Sequence, residues 1–323
     1  MDDQLATHGL VRLSGETTGR LLADPARAAQ DAARDRELSP AEMTAHVFNE
    51  LQGTWSGHRG FNLIALPSPG SKPTDLGDFV LGLQSYSEIL ELRDPGAPAR
   101  NRGGDVDQFV AALEYRQRVT DATSDVLLHA ETGMFLNLST IVKNGTTDRE
   151  PVPELNIARS GTIPHGDSIM LLGGPPVRTD GPPSIPEASA LPTNVSPKAP
   201  ATYNDPYLQA AEGPVVADPN LLLRQTLEQQ AEAGIEVLNT TTFTLDSEHG
   251  GINNIPFIDE RANTVRMTAT FWLEKIRSAE TGQEVDQLQY SQVIDLDFHQ
   301  NSPDPATGLI RWPHVTVNTL LKQ

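Results

Sequence analysis

A long run of alternating apolar and polar residues is the feature that most constrains how this 323-residue chain can fold. The alternation starts at Gly53, continues for roughly 120 residues between Gly/Pro/Asp clusters, and resumes near Glu236. Strands at this spacing without intervening helices predict an all-β fold, an antiparallel barrel or sandwich, because each strand has one buried and one solvated face. The predicted strands are 53–66, 79–92, 108–121, 126–138, 155–160, 162–172, 236–245, 264–276, 286–298 and 310–320.

Two regions depart from the strand pattern. The polar, Ala-rich N-terminus predicts helices at 25–36 and 40–51, and Ser39 followed by Pro40 is a good start for the second helix. A Pro-, Ala- and Ser-rich stretch from residue 173 leads into a predicted helix that ends at Gly234. The expected organisation is an N-terminal helical or flexible segment over 1–50 and one barrel domain over 51–323, with a loop–helix excursion inserted at about 173–235.

Composition excludes several classes of function. The chain has 24 Lys and Arg residues against 43 Asp and Glu residues, a net charge of −19, which disfavours binding to nucleic acid or anionic lipid. It has no cysteine, which excludes disulfides, a thiolate nucleophile, Cys-ligated zinc and iron–sulfur clusters. The absence of a signal-like segment and of a membrane-length apolar run predicts a cytoplasmic protein without a membrane span.

Several short runs in the strand regions resemble a known family. They are GTWSG at 53–57, GFNLIA at 60–65, TIPHG at 162–166, NIPF at 254–257, QLQY at 287–290 and WPHV at 312–315. Together they resemble bacterial and fungal calycin-like proteins, a lipocalin-like barrel architecture, that are commonly described as haem-binding and are distantly nitrobindin-like. The resemblance covers about residues 50–323 outside the excursion and implies a barrel of about ten strands with a ligand site at one end. Nitrobindin-like chains carry Gly-x-Trp-x-Gly-x-Gly, whereas here His58 and Arg59 displace the third glycine by one position.

The resemblance implies haem as a cofactor and a C-terminal histidine as the iron ligand, for which His314 is the positional counterpart. His314 shares a strand face with Thr316, Asn318 and Leu320, so it can ligate iron if that face points inward and is a surface residue if it points outward. Five further residues complete the candidate cofactor site. They are His165 in a Pro-His-Gly turn, Arg159 as a propionate partner, and the aromatic residues Trp55, Phe61 and Tyr290. The alternative for His165 is a hydrogen-bonded turn histidine, and that for Arg159 is a cross-strand salt bridge. The alternative for the three aromatic residues is core packing.

A second hypothesis needs no cofactor. His129 and Glu131 share a strand face and can form an acid–base pair, as can His165 with Asp167. Such a barrel would be an enzyme acting on a hydrophobic lipid or terpenoid, and a plain lipid carrier is a third possibility. The leading hypothesis remains a barrel that binds a hydrophobic small molecule, haem first, with weak peroxidase or nitric-oxide chemistry supplied by the cofactor. Whether the protein is an enzyme or a homo-oligomer stays open at this stage.

Overall fold

The computed structural model describes residues 38–69, 78–97, 99–101, 107–138, 141–142, 154–195, 203–300 and 308–323. The helices are α1 (Pro40–Leu51), α2 (Asp205–Leu208), α3 (Pro214–Ala217), α4 (Leu221–Glu232) and α5 (Pro256–Asp259). The strands are β1 (Gly53–Pro67), β2 (Phe79–Arg93), β3 (Ala99–Asn101), β4 (Asp107–Asp121), β5 (Leu127–Asn137), β6 (Ile141–Val142), β7 (Ile157–Ile163), β8 (Asp167–Gly173), β9 (Val177–Asp180), β10 (Ile235–Asn254), β11 (Asn263–Ser278), β12 (Glu284–Gln300) and β13 (Leu309–Lys322). The helix predicted at 25–36 lies outside the described residues. No described helix is both long and apolar enough to span a bilayer.

Ten strands form a closed antiparallel barrel, which confirms the predicted fold class. Around the ring the order is β1, β2, β4, β5, β7, β8, β10, β11, β12 and β13. The ring closes where β13 pairs with β1, placing Val315 opposite Leu63 and Lys322 opposite Trp55. β9 extends the edge of β10, while β3 and β6 pair with the start of β4. Because closure removes sheet edges, every strand of the ring has a partner on both sides.

The strand boundaries agree with the predicted ones to within a few residues except at β10, which continues to Asn254 instead of ending at Leu245, and around β7 and β8. The sequence predicts a break at Gly161, but β7 continues to Ile163 and the chain turns at Pro164–Gly166. Gly166 has a φ of +115°, which suits a turn. A side chain at Gly161 would instead collide with Glu131 and Tyr115. This glycine is therefore required by close packing inside the barrel and does not end a strand.

Helix α1 closes one end of the barrel. Ser39 and Glu42 form a capping box at its start, which confirms the predicted helix at 40–51. Val47, Phe48 and Leu51 enter the interior apolar cluster together with Trp55. The indole Nε1 of Trp55 donates a hydrogen bond to the carbonyl oxygen of Leu51 at 2.7 Å. Trp55 therefore lies in the core at the closed end of the barrel, which corresponds to the core-packing alternative given for it.

The excursion at 173–235 packs on the outside of the barrel. Its Tyr207, Val216 and Leu223 form one apolar cluster with Trp272 of β11 and Val315 of β13. This cluster buries the outer faces of β1, β11, β12 and β13, in addition to their inner faces. One arc of the barrel therefore has two apolar layers, whereas β4, β5 and the second half of β2 have an exposed outer surface, with Ile89 and Met134 at 50% and 40% exposure.

Candidate functional site

The inner face of β13 carries the polar residues that define the site. His314, Thr316 and Asn318 point into the barrel, whereas the alternating Val315 and Val317 belong to the outer cluster. Strand alternation alone could not decide between these two orientations. The contacts settle it, because Thr316 and Asn318 bond to Tyr86 and Glu88 across the interior.

A fully buried network forms the bottom of the site. We call it the polar floor, and its members are Tyr86, Glu88, Gln117, Tyr290 and Asn318. The carboxyl group of Glu88 lies 2.5 Å from the Tyr290 hydroxyl and accepts hydrogen bonds from Asn318 and Gln117 at 2.8 Å each. Burial raises the pKa of Glu88 even though these hydrogen bonds oppose the shift. Tyr290, predicted to line a ligand site, is a member of this floor.

A buried ion pair lies beside the polar floor. Arg159 Nη2 donates to Glu131 Oε1 at 2.9 Å, and the two side chains are each only 3% exposed. The guanidinium also donates to Gln292 at 3.0 Å and to Tyr115 at 3.2 Å, so each of its nitrogens is engaged. Burial alone would raise the pKa of Glu131, but Arg159 and the hydrogen bonds from His129 and Tyr115 lower it to about 2. Glu131 is therefore a fixed anion at neutral pH, and Arg159 is its counter-ion.

Three histidines lie above the floor and the ion pair. His129 Nε2 is 3.4 Å from Glu131 Oε2, and the rings of His129 and His165 are 5.3 Å apart. Burial and the neighbouring charges of His129 and His165 lower the pKa of His314 to about 3. Burial and His129 likewise lower the pKa of His165. His314 is therefore a neutral imidazole at physiological pH.

The ring orientation of His314 is fixed by a chain of amides. His314 Nε2 lies 2.5 Å from Asn62 Oδ1, and Asn62 Nδ2 in turn donates to Gln84 Oε1 at 3.0 Å. Because the Asn62 carbonyl can only accept, Nε2 carries the ring proton. The lone pair of the imidazole is then on the other ring nitrogen.

Water reaches the barrel interior at the end opposite α1. Asn62, Gln84, His129, His314 and Thr316 face inward and are nevertheless partly exposed, and we call the space that they line the hollow. His165 lies in the exposed β7–β8 turn at its mouth. Deeper inner-face residues are closed to solvent, including the polar floor and the apolar layer against α1. The barrel is thus filled at one end and accessible at the other, an arrangement suited to a small-molecule site.

The structure brings most of the sequence-predicted residues together and separates two. His129, Glu131, Arg159, His165 and His314 surround the hollow or lie just beneath it. Trp55 is at the closed end and Phe61 is on the outer face, in the cluster under the excursion. Phe61 faces outward because a β-bulge between Gly57 and Gly60 shifts the alternation by one residue. Within the described residues, no group of three His, Asp or Glu side chains is arranged to hold a metal ion.

Sequence reasoning missed Tyr86, Glu88, Asn62 and Gln292. A signal for Glu88 was present, since it alternates with the inward residues Tyr86, Leu90 and Leu92 on one face of β2. A carboxyl group on an otherwise apolar strand face indicates a buried polar network or a functional group. Asn62 carried no such signal because the bulge reverses its orientation.

Comparison with solved structures finds twelve matching chains, and Rv2717c from M. tuberculosis is among them. The chain Rv2717c from M. tuberculosis is 14% identical and matches with a TM-score of 0.40, over 89% of this chain and 99% of that one. No protein-family model and no curated protein matches the sequence. The closed barrel itself, with its accessible end, therefore carries the functional argument.

Proposed function

We propose that the barrel binds a hydrophobic small molecule in the hollow, with haem as the first candidate and His314 as the iron ligand. The observation that carries the proposal is the state of His314, which is inward-facing, partly exposed and neutral. A neutral imidazole with one nitrogen bonded to a carbonyl oxygen is the usual form of a metal-ligating histidine. The donor set of the hollow therefore fits a haem group.

The chain's own residues have distinct roles in this proposal. His314 holds the cofactor, and Asn62 keeps its ring in one tautomer and orientation. His165 and His129 lie at the mouth on the side of the ion pair, where they face a guest in the hollow. Bound haem supplies peroxidase- or nitric-oxide-type chemistry at its iron. Arg159 keeps Glu131 charged in this proposal. Because each of its guanidinium nitrogens already donates a hydrogen bond within the protein, a contact with a haem propionate would only add to these bonds.

A haemin titration tests the proposal. We expect the wild-type protein to develop a Soret band that saturates with added haemin, and the band to be lost in His314→Ala. Asn62→Leu removes the carbonyl partner of the ring and should weaken haemin binding by about 10- to 100-fold. The matched control is His58→Ala, because His58 is exposed and bonds to Ser87 outside the hollow. Unchanged haemin binding in His314→Ala would rule out this ligand.

One observation favours a second candidate, a cofactor-free acid–base enzyme. His129 is 26% exposed and lies next to a carboxylate that is held ionised, so it can accept a proton from a guest. The test is to incubate the protein with a panel of lipids and terpenoids and to detect products by mass spectrometry. If the protein is such an enzyme, we expect it to convert members of this panel. His129→Ala should abolish that turnover and leave haemin binding intact, whereas haemin-dependent turnover in the same variant would favour the first candidate.

A further inference from the structure

The polar floor contains a carboxyl group that the proposed binding function does not use. Glu88 is 2% exposed and lies beneath the hollow rather than in it. A chain of short contacts connects it to the hollow. Glu88 is 2.5 Å from the Tyr290 hydroxyl, Tyr290 is 2.9 Å from the Tyr86 hydroxyl, and Tyr86 is 2.9 Å from the Thr316 hydroxyl. Of these four residues, only Thr316 is partly exposed and lines the hollow.

The directions of these hydrogen bonds indicate which group holds the proton. Tyr86 also lies 3.0 Å from the carbonyl oxygen of Val317, which can only accept, so the Tyr86 hydroxyl donates there. Tyr290 must then donate to Tyr86, because the proton of Tyr86 is already used. Donation from Tyr290 to Glu88, the direction that an ionised carboxylate requires, would leave the Tyr86–Tyr290 contact without a proton. With the proton of Tyr290 used towards Tyr86, Glu88 has to be the donor in the 2.5 Å contact. All contacts are satisfied at once only when Glu88 is a neutral carboxylic acid.

We propose that Glu88 stores a proton and exchanges it with the occupant of the hollow, a guest with a basic atom at its inner end or water, through Tyr290, Tyr86 and Thr316. In the forward direction the Glu88 O–H bond breaks and Tyr290 gains that proton. Tyr290 passes its own proton to Tyr86. Tyr86 turns its hydroxyl from Val317 towards Thr316 and passes its own proton on, while Thr316 turns its hydroxyl proton from Tyr86 towards the occupant and releases it there. No electrons move, and the Glu88 carboxylate that is left accepts from Gln117 and Asn318.

The groups around Glu88 fit a storage role. The titratable residues that interact with it are Tyr86 on its own strand, Tyr290 on β12 and His129 on β5. Burial raises the pKa of Glu88, against the opposing effect of its hydrogen bonds to Tyr290, Asn318 and Gln117. The inference rests on the proposed function in one respect, since a guest at Thr316 gives the stored proton its use.

The protonation of Glu88 is tested by infrared spectroscopy of the guest-free protein at neutral pH. Burial raises the pKa of Glu274 to about 8, so Glu274 also contributes a carbonyl band of a protonated carboxyl group. We expect the wild-type spectrum to contain a second such band that disappears in Glu88→Gln. Glu131→Gln is the matched control, because Glu131 is ionised and its replacement should remove a carboxylate band instead. If Glu88→Gln does not fold, Tyr290→Phe should shift the frequency of the same band by removing its hydrogen-bond partner. An unchanged acid band in both variants would overturn the proposal.

The relay is tested by transfer of the protein into D₂O. Deuteration lowers the frequency of an acid carbonyl band, so the rate of this change measures proton exchange at Glu88. We expect Thr316→Val to slow the exchange by about a hundredfold, the lower end of what a positioned proton-transfer group contributes. Thr244→Val makes the same change on the exposed outer face of β10 and should exchange like the wild type. Equal rates in Thr316→Val and the wild type would overturn the relay, and because haemin is not used, failure of haemin binding leaves this result interpretable.

Discussion

At the scale of single residues, the buried ion pair shows how the interior tolerates charge. Arg159 and Glu131 are nearly inaccessible to water, and each relies on the other for compensation. Removing one partner leaves an uncompensated buried charge, which costs more than the pair itself contributes. The Arg159 guanidinium also lies over the rings of Tyr115, Phe135 and Phe271, 5.2 to 6.0 Å from their centroids, so its removal affects packing as well.

We expect Arg159→Met to lower the free energy of unfolding by about 3–5 kcal/mol at pH 7. The double variant Arg159→Met/Glu131→Gln should recover part of this loss, because it removes both charges together. Urea unfolding of the single and double variants measures the difference. If the double variant lost more unfolding free energy than the two single variants together, the penalty would arise from packing and not from the unpaired buried charge.

A second residue-scale prediction concerns Glu274, which is buried on the outer face of β11. Its only hydrogen bond among the described contacts comes from Gln287, which also bonds to Gln230 of α4. Burial raises the pKa of Glu274 to about 8, while an unfolded chain has a glutamate pKa near ~4.3. Between these values the folded protein holds a proton that the unfolded chain has released. The contribution of Glu274 to the stability of the wild type should therefore fall as pH rises from about 4.3 to 8.

The variant Glu274→Gln should lose this pH dependence. We expect its free energy of unfolding to exceed that of the wild type by a growing margin, up to a few kcal/mol, as pH rises from 5 to about 8. The measurement is urea unfolding at a series of pH values, with Glu236→Gln as an exposed control. A parallel pH profile for wild type and variant would contradict the assignment.

At the scale of secondary-structure elements, local signals in the sequence were sufficient where they did not depend on distant contacts. The Ser39–Pro40 start identified α1, and the run ending at Gly234 identified α4, because capping residues act within one turn. The break predicted at Gly161 was wrong, since that glycine is required by Glu131 and Tyr115 of neighbouring strands. The orientation of Phe61 and Asn62 depends on a bulge whose position is set by pairing with β2, which no local pattern reveals.

The role of α1 as the closure of one barrel end leads to an element-scale prediction. Phe48 is 1% exposed and packs among the interior residues of several strands, so its truncation leaves a cavity. We expect Phe48→Ala to cost about 3–5 kcal/mol of unfolding free energy. Ile89→Ala on the exposed outer face of β2 should change stability by less than about 0.5 kcal/mol. Thermal and urea unfolding of both variants check this, and similar losses in the two would show that α1 does not stabilise the barrel.

At the scale of the whole molecule, the closed barrel was predictable because alternation persists through nearly every strand of the ring. The inward orientation of His314, Thr316 and Asn318 was not predictable, since alternation defines two faces without labelling them. The pairing of Glu131 with Arg159 joins residues 28 positions apart, and the contact between Tyr86 and Tyr290 spans 204 positions. The candidate site is therefore a product of closure and could be anticipated only in part from single strands.

Closure also yields a whole-molecule prediction. β13 pairs with β12 on one side and with β1 on the other, so it completes the ring. Deleting 312–323 should open the barrel, expose the inner apolar cluster and abolish cooperative unfolding. Near-ultraviolet circular dichroism and urea unfolding of the truncated chain measure this. A truncated protein that remains soluble and melts cooperatively would show that the fold does not require closure by β13.

Because the excursion covers only one arc of the barrel, the two sides of the barrel differ as places for attaching a label. Dyes, affinity handles or fused reporters placed on the outer face of β13 would lie beneath the excursion and displace Val315 or Val317 from the outer cluster. The outward positions of β2 and β5, such as Ile89 and Met134, already face solvent. Immobilisation through that bare arc would leave both the mouth of the hollow and the covered arc undisturbed.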